Sequence, residues 1–228
     1  MSMKKIISPP NMAHSYIRAF FTTKIADNVV KYLAGNGSEF MVYLPIQRHT
    51  DRVLILNSDP EPEVADAVIT NREDVLLGVQ VADCVPIVLF DEKKRVVGAV
   101  HAGWRGTAAQ ILKKTIQAMV DHFGSSPDNI VIAFGPSIKG CCYEVDSDVN
   151  EAVCISTGAG EYSSRKNSKF FIDLASANML QAGSLGVKED NIWVSEECTF
   201  CNPDRFHSYR YHGNHAGRQG GFIGIFSG

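Results

Sequence analysis

Three short stretches place metal-binding or nucleophilic side chains at the ends of apolar segments. They are Gln47-Arg48-His49, Ala82-Asp83-Cys84 and the run VHAGWRG at 100–106. If His49, Cys84 and His101 meet in the fold, they supply two imidazoles and one thiolate. Such a set leaves the fourth position of a tetrahedral zinc ion open for water, as a catalytic zinc site requires. Zinc then lowers the pKa of that water to about 7, which makes hydroxide available as a nucleophile at neutral pH.

Two other interpretations use the same residues. Each histidine and cysteine can be a packed, hydrogen-bonded residue without a ligand, because their intervals along the chain match no standard short zinc motif. Alternatively, Cys84 is a thiolate nucleophile and His101 is its base, which predicts a metal-free hydrolase or deamidase. On spacing alone, all three interpretations stay open.

The turn after His101 has the features of an anion site. Gly103 and Gly106 flank Arg105 just before a predicted helix, so backbone N–H groups, the positive helix end and a guanidinium can converge on a phosphate. Arg48 adds a second positive charge beside His49. The alternative is a tight strand-to-helix turn with a solvated arginine.

Further cysteines and histidines have no assigned role. Cys198-x-x-Cys201 followed by His212-x-x-His215 invites a structural zinc interpretation, but its spacings are shorter than those of typical zinc fingers. The adjacent pair Cys141-Cys142 is predicted to lie in a strand, where neighbouring side chains point to opposite faces and do not chelate together. The functions of these cysteines and histidines are left open.

Strands must position the candidate residues. Apolar, β-branched runs predict strands at residues 17–23, 41–44, 53–56, 67–70, 75–81, 85–90 and 96–101. The short charged link at residues 91–95 predicts an antiparallel hairpin. That hairpin would place Cys84 and His101 across from each other.

Helices follow and alternate with further strands. From Thr107, a predicted N-cap, apolar residues recur at helical spacing to Phe123, and Gly124 stands at the predicted C-cap. A strand at 130–134 is then predicted to run parallel to strand 96–101. Other helices are predicted at 26–33, 146–154 and 173–185, the last capped by its first residue, and other strands near Ile192 and Phe222. Hairpins and a crossover together predict an α+β fold with mixed sheets covered by helices, in a single domain spanning 1–228.

Composition and charge exclude several classes of protein. The 228 residues are 45% hydrophobic and 21% charged, which is typical of a folded globular chain and not of a disordered or coiled-coil one. A formal net charge of −3 offers no basic field for a nucleic-acid backbone, so we expect no nucleic-acid partner. No apolar run approaches the ~18 residues of a membrane span, and the first residues do not resemble a signal peptide. We therefore expect a cytoplasmic protein with no membrane partner.

Six segments, taken in order along nearly the whole chain, form a pattern that is specific to one protein family. They are Gln47-Arg48-His49, ADCVPIVLFD at 82–91, VGAVHAGWRG at 97–106, FGPSIKGCCYEV at 134–145, and the segments 173–178 and 198–219. In these segments the chain resembles the YfiH-type laccase-domain proteins. Members of that family are also described as multicopper polyphenol oxidoreductases and as purine nucleoside phosphorylases.

The resemblance implies a fold, a metal site and a pair of reactions. The fold is a layered α/β/β/α arrangement of mixed sheets flanked by helices. His49, Cys84 and His101 fall on the zinc ligands of the family. The implied enzyme cleaves adenosine, inosine and methylthioadenosine with phosphate, and deaminates adenosine to inosine. Its partners are then a small-molecule nucleoside and phosphate; the sequence does not specify an oligomeric state.

Within that function we assign roles to the polar residues around the centre. Phosphate is expected to bind Arg48, Arg105 and the backbone from Gly103 to Gly106. Asp83 is the predicted proton shuttle, with Glu144 as its substitute. The alternatives are a residue that orients a ligand for Asp83, and a surface salt bridge for Glu144.

One stretch departs from the family pattern. Residues 208–213 read SYRYHG, where family members usually show a second arginine and an aspartate before the glycine. Substrate contacts assigned to those two positions are therefore in doubt, whereas Arg210 and Arg218 are in place.

The leading hypothesis is a zinc-dependent purine nucleoside phosphorylase with adenosine deaminase activity. One alternative is a peptidoglycan-precursor editing enzyme or Cys/His amide hydrolase at the same centre, and another is a metal-dependent interaction protein without activity. A third is a copper-dependent polyphenol oxidase (laccase), since two imidazoles and a thiolate also suit copper. A multicopper cluster needs several more imidazoles, and the remaining histidines are His14, His122, His207, His212 and His215.

Overall fold

Strands dominate the structure of this chain. A computed structural model describes residues 6–24, 41–58, 61–73 and 75–226. The strands in these ranges are β1 (Ile6–Ile7), β2 (Ile17–Thr22), β3 (Met41–Tyr43), β4 (Val53–Ile55), β5 (Ala67–Thr70), β6 (Val75–Val81), β7 (Val85–Asp91), β8 (Val96–Ala102), β9 (Ile130–Phe134), β10 (Glu144–Val145), β11 (Ser163–Lys166), β12 (Lys169–Ile172), β13 (Ile192–Val194) and β14 (Gln219–Ile225).

The helices in the same ranges are short. They are α1 (Trp104–Ala108), α2 (Ile111–Phe123), α3 (Ser147–Thr157), α4 (Leu174–Gly183) and α5 (Tyr209–His212), with 3-10 turns at Pro10–Met12, Pro127–Asn129, Glu189–Asn191 and Gly213–His215. None of these described helices combines the length and apolar character needed to cross a lipid bilayer. The helix predicted at 26–33 lies outside the described residues.

Two mixed sheets form the body of the fold, as the sequence predicted. The six-stranded sheet has the order β13-β9-β7-β8-β5-β4, and the five-stranded sheet has the order β1-β2-β14-β6-β3. Parallel pairs (β4 with β5, β9 with β13, β3 with β6) occur beside antiparallel ones in both sheets. A small third sheet has the order β10-β12-β11. The predicted α+β class with mixed sheets is confirmed.

The six-stranded sheet is buried on both faces. Ile87 and Leu89 of β7 pack in one core with the helices, including Ile116 of α2. Val88 and Phe90 alternate with them and pack in a second core against the five-stranded sheet. This alternation follows from the two-residue period of a strand. Burying an apolar side chain of this size stabilises the fold by about 1.5–3 kcal/mol, so both cores hold β7 and β8 firmly in place.

The hairpin and the crossover predicted around the candidate residues are confirmed. β7 and β8 are antiparallel, with Pro86 paired to His101 and Val85 paired to Ala102. β9 is also antiparallel to β7, so it runs parallel to β8 with β7 between them. In the connecting turn, the Asp91 carboxylate accepts the backbone N–H groups of Lys93 (2.9 Å) and Lys94 (3.2 Å).

The helix predicted to start at Thr107 is wrong in its beginning. Thr107 lies inside α1. The helical conformation is interrupted between α1 and α2 at Gln110, whose backbone is left-handed (φ 59, ψ 40). The Thr107 hydroxyl instead accepts a hydrogen bond from Asn178 Nδ2 at 2.8 Å. Gly124 is confirmed as the C-cap of α2 (φ 67), and the Asp173 side chain caps α4.

The β10-β12-β11 sheet was not predicted from the sequence. β11 and β12 form a hairpin whose turn residues Asn167 and Ser168 both have positive φ. β11 reads SSRK, which lacks the apolar alternation that identifies a half-buried strand. The short edge strand β10 pairs with β12 and carries Glu144.

Close contact between the strands of the five-stranded sheet predicts a sensitive glycine. A Cβ added at Gly78 would lie 2.5 Å from Phe222 Cε1 and 2.7 Å from Leu44 Cδ2. We expect Gly78→Ala to lower the free energy of unfolding by about 1–3 kcal/mol because the ring and the leucine must move. The matched control is Gly183→Ala in α4, where the added Cβ meets nothing within 4 Å. Denaturant titration checks both variants, and a Gly78→Ala protein as stable as the control would contradict the prediction.

Candidate metal centre

The hairpin and one loop bring together the three residues singled out in the sequence. Cys84 directly precedes β7, and His101 lies near the end of the paired strand β8. His49 lies on the loop between β3 and β4. The ligand atoms of the three side chains lie within 4.8 Å of one another, a spacing that suits one metal ion. His101 is buried, Cys84 is half-buried and His49 is exposed, so the centre opens to the surface on the His49 side.

A buried carboxylate, Asp66, organises this centre. It directly precedes β5, and its side chain is fully buried. Its hydrogen-bond donors are His101 Nδ1 (2.7 Å), His49 N (3.0 Å), Thr50 N (2.7 Å), Thr50 Oγ1 (2.7 Å) and Arg48 N (3.2 Å). Burial alone would raise the pKa of Asp66, but these hydrogen bonds hold it well below its ordinary value of 3.8. Asp66 is therefore a carboxylate that accepts from three consecutive residues of this loop and from His101.

The contact with Asp66 also sets the chemistry of His101. A carboxylate only accepts, so Nδ1 of His101 carries the proton and Nε2 is directed at the centre. Metal-ligating histidines commonly have such an acceptor on their second ring nitrogen, which fixes the orientation of the ring. The His49 and His101 rings meet edge to face, with centroids 4.8 Å apart.

The backbone conformation of the loop between β3 and β4 also helps to position His49. His49 has a positive φ of 59, a conformation that is uncommon for residues other than glycine. In this conformation the successive N–H groups of Arg48, His49 and Thr50 all point at the Asp66 carboxylate. The His49 ring is thereby held on the open side of the centre.

Gly103 gives the centre its space. A Cβ at this position would lie 3.0 Å from Cys84 Sγ and 3.2 Å from His49 Cδ2. Any side chain here would therefore press on two of the three candidate ligands. The sequence predicted Gly103 as part of an anion-binding turn, and the structure adds this second reason for a glycine.

The three side chains tune one another's protonation. Burial opposes ionisation of the Cys84 thiol, but hydrogen bonds from the His101 and His49 rings outweigh it and lower the pKa of Cys84 to about 6. Burial would lower the pKa of His101, but Asp66 and the Cys84 sulfur raise it to about 9. A thiolate is therefore favoured at neutral pH, and a thiolate is the form that binds metal or attacks a carbonyl.

Asp83, the predicted proton shuttle, forms hydrogen bonds to segments that are remote from it in the sequence. Its side chain is buried and its φ is 82. The carboxylate accepts hydrogen bonds from Thr199 Oγ1 (2.6 Å), Ser208 Oγ (3.0 Å) and Arg210 N (2.7 Å). These contacts favour the alternative that Asp83 is a positioning residue, and its role in proton transfer stays a prediction.

The predicted phosphate ligands lie on exposed surface beside the centre. Arg48 and Arg105 are both exposed, and the Arg105 guanidinium lies 4.3 Å from the centroid of the Trp104 ring. Gly106 is buried within α1. Because α1 has only five residues, the helix contributes little dipole, and a phosphate here would depend on the arginines.

Glu144, the substitute proton shuttle, forms an ion pair on β10. Its Oε1 accepts from Lys169 Nζ at 2.6 Å, which matches the salt-bridge alternative considered for it. Its backbone oxygen accepts from the Arg210 guanidinium at 2.9 Å. The assignment of Glu144 to the reaction stays a prediction.

Tyr143 and Asp66 are the residues that the sequence reasoning missed. Burial and the negative charge of Cys84 raise the pKa of the Tyr143 hydroxyl to about 12, against the opposing effect of Arg210. The Arg210 guanidinium lies 5.3 Å from the centroid of the Tyr143 ring. Tyr143 therefore lies near enough to Cys84 to feel its charge, and it stays protonated at neutral pH. The signals were present: an aspartate at the start of a buried strand, and a tyrosine between Cys142 and Glu144.

Four of the five remaining cysteines form a group that the sequence reasoning did not predict. The Sγ atoms of Cys141, Cys142, Cys198 and Cys201 lie within 4.8 Å of one another. Cys141 and Cys142 lie in a turn and not in a strand, so the prediction that their side chains point to opposite faces of a strand is wrong. His212 is not part of this group, whose ligand atoms are the four cysteine sulfurs, and its Nδ1 contacts Ser208 O at 3.0 Å.

Comparison with known proteins shows the family to which the chain belongs. The chain matches the family described as "Multi-copper polyphenol oxidoreductase laccase" over residues 22–226. It is 39% identical over 188 residues to a purine nucleoside phosphorylase of Aquifex aeolicus, a match that covers 82% of this chain and 84% of the relative. It is 35% identical over 196 residues to adenosine deaminase RL5 of an unknown prokaryotic organism, covering 80% of this chain and 74% of the relative.

A solved structure is also similar. The crystal structure of YlmD from Geobacillus stearothermophilus has a TM-score of 0.88 and 25% sequence identity, over 100% of this chain and 98% of that one. These similarities confirm the family resemblance seen in the sequence.

The position of Asp66 predicts a loss of metal affinity on substitution. Asp66→Asn replaces one carboxylate oxygen by an amide NH2 group, which cannot accept a hydrogen bond. Hydrogen bonds from residues 48–50 and from His101 Nδ1 are then lost, and the two histidine rings are no longer held in place. We expect zinc affinity at the centre to fall about 10–100-fold, as for other residues that orient metal-ligating histidines. Competition with a chromophoric chelator measures this affinity. The matched control is Asp51→Asn. Asp51 is an exposed acid directly after residues 48–50, and its carboxylate pairs with Lys114. Equal losses of zinc affinity in the two variants would contradict the role assigned to Asp66.

Proposed function

We propose that this chain, which belongs to the multi-copper polyphenol oxidoreductase laccase family, is a zinc-dependent purine nucleoside phosphorylase that also deaminates adenosine. The observation that carries the proposal is the convergence of His49, Cys84 and His101 on one point at the open end of the hairpin. The names of the relatives from Aquifex aeolicus and of RL5 support the two reactions. Adenosine, inosine and methylthioadenosine are the proposed substrates.

The residues present fit a zinc ion. Imidazole nitrogen and thiolate sulfur are ligands that zinc prefers, three protein ligands leave the fourth position open, and Asp66 supplies the acceptor that such a histidine needs on its second nitrogen. The close approach of Gly103 leaves the space between the ligands free. His49, Cys84 and His101 would hold the ion. When bound there, zinc lowers the pKa of water and makes a nucleophile for adenosine deamination available at neutral pH.

In phosphorolysis, the chain must bind phosphate and stabilise a departing purine. An oxygen of phosphate forms a bond to the ribose C1′ while the bond from C1′ to the purine nitrogen breaks, and the electron pair leaves with the base, which takes up a proton. Arg48 and Arg105 carry the positive charge for binding phosphate on the exposed side. Asp83, which accepts from three donors, and Glu144, which accepts from Lys169, are the proposed residues for this proton transfer.

In deamination, water adds to C6 of adenine and the bond from C6 to the exocyclic nitrogen breaks, releasing ammonia. The Tyr143 hydroxyl, with a pKa of about 12, remains a hydrogen-bond donor on the wall of the site. Arg210 lies over the same ring and adds positive charge. These two residues are proposed to orient the nucleoside, while Asp83 fixes the backbone N–H of Arg210.

A second candidate function has a specific observation in its favour. Cys84, His101 and Asp66 stand in the order nucleophile, base and orienting acid, with the His101 to Asp66 contact at 2.7 Å. In an amide hydrolase the thiolate would attack the carbonyl carbon and the amine would leave with a proton from His101. Peptidoglycan precursors are amide substrates of this class. Copper is a further possible occupant of the same ligand set, with polyphenol oxidation as its activity.

Product analysis tests the leading function. We expect the zinc-loaded protein to convert adenosine and phosphate to adenine and ribose 1-phosphate, and adenosine without phosphate to inosine. Cys84→Ala is expected to lose both products, since it removes one of three ligands. The control is Cys154→Ala. Cys154 is a half-buried thiol in α3 that belongs neither to the candidate metal centre nor to the four-cysteine group, so this variant should still form both products. Absence of both products, or oxidation of a phenol by the copper-loaded protein alone, would contradict the proposal.

Alkylation separates the metal centre from the free nucleophile. We expect zinc to protect Cys84 from iodoacetamide at least 10-fold, because the thiolate is then shared with the ion, and removal of the metal to expose it. Mass spectrometry of the Cys84 peptide, with and without zinc, measures the rate. Equal alkylation under both conditions, together with loss of activity, would favour the amide hydrolase.

A further inference from the structure

The second cysteine group joins two turns that are distant in sequence. Cys141 and Cys142 lie in the turn before β10, where the N–H groups of Cys142 and Tyr143 both donate to Lys139 O at 2.9 Å. Cys198 and Cys201 lie on the segment after β13. Ser137 and Cys198 form an isolated bridge between the two segments, and Thr199 N donates to Ser137 O at 3.1 Å. The four thiols are therefore held face to face by the backbone.

The distances between the sulfur atoms match one metal ion. Four sulfurs that each lie about 2.3 Å from a zinc ion are about 3.8 Å apart at the corners of the tetrahedron. Here Cys142 Sγ lies 3.2 Å and Cys141 Sγ lies 3.9 Å from Cys201 Sγ, and all four sulfurs lie within 4.8 Å of one another. A disulfide requires about 2.05 Å between sulfurs. The arrangement is that of ligands around a common centre.

Backbone donors around Cys198 are those that a thiolate needs. Lys139 N lies 3.5 Å from Cys198 Sγ, and the amides of Cys201 and Phe200 also donate to it. The Lys139 side chain is half-buried, and its ammonium interacts with the Asp173 carboxylate and, more weakly, with Cys198 and Cys141. Hydrogen bonds and a nearby cation offset the negative charge that four thiolates place on a divalent ion.

We propose that Cys141, Cys142, Cys198 and Cys201 form a second, structural zinc site. Four protein ligands complete a tetrahedron and leave no position for water, which is the property of a structural site. Cys141 and Cys201 are exposed, so the ion can enter from the surface.

The proposed zinc site would fix two segments that lie next to the candidate metal centre. Tyr143 follows the first cysteine pair directly, and Thr199, which donates to Asp83, lies within the second. The ion would thus clamp the turns that carry these residues without touching substrate.

Metal counting in a chain that lacks the first centre tests this proposal. The full-length His49→Ala/Cys84→Ser variant removes two of the three ligands there and leaves the cysteine group intact. We expect it to retain one zinc ion per chain after gel filtration, measured by inductively coupled plasma mass spectrometry. Adding Cys201→Ser, at an exposed position, is expected to reduce this to none. Adding Cys154→Ser is the matched control and should leave one.

A second measurement needs no further substitution. In the same double variant, zinc is expected to protect the four cysteines from alkylation, and a chelator to expose them, while Cys154 reacts alike in both conditions. The proposal is overturned if the double variant holds no metal, if it keeps its metal after Cys201→Ser, or if an intact-mass measurement shows a disulfide between Cys142 and Cys201.

Discussion

A carboxylate that is buried in protein stays charged only if hydrogen bonds replace the water it has lost. Asp66 meets this condition by drawing donors from two separate parts of the chain, the 48–50 loop and His101 of β8. An uncompensated buried charge costs several kcal/mol, so both parts are held where the carboxylate is. The positions of His49 and His101, and with them the candidate centre, follow from the solvation of one charge.

Asp83, the residue before Cys84, is a second buried carboxylate whose lost hydration is replaced by hydrogen bonds. Its carboxylate accepts from Thr199, Ser208 and Arg210, and its own backbone oxygen accepts Ile138 N at 3.0 Å. The segments that carry the cysteine group and the arginine are thus fastened to the residue next to a candidate ligand. Two buried acids therefore organise the surroundings of the centre. Asp66 positions the two histidines, and Asp83 positions the segments that carry Thr199, Ser208 and Arg210.

Local patterns predicted the hairpin, because alternation and a short charged turn determine strand pairing without reference to the rest of the fold. They left the metal-ligand interpretation of His49, Cys84 and His101 as one of three, and the family resemblance selected it. Positive-φ residues were beyond that reasoning: Gln110 breaks a sequence that is helical by periodicity, since tertiary contacts such as Thr107 with Asn178 override propensity. The cysteine group was missed for a similar reason. Cys142 and Cys201 meet only through the pairing of remote segments, which spacing along the chain does not encode.

The place of β14 has a consequence for the order in which the molecule is assembled. Residues 219–225 form an inner strand of the five-stranded sheet, between β2 near the beginning of the chain and β6 in its first half. Neither β2 nor β6 has its long partner until that segment has left the ribosome. Such long-range pairing is slow, so during synthesis one edge of β2 and one edge of β6 stay without a strand partner until β14 arrives.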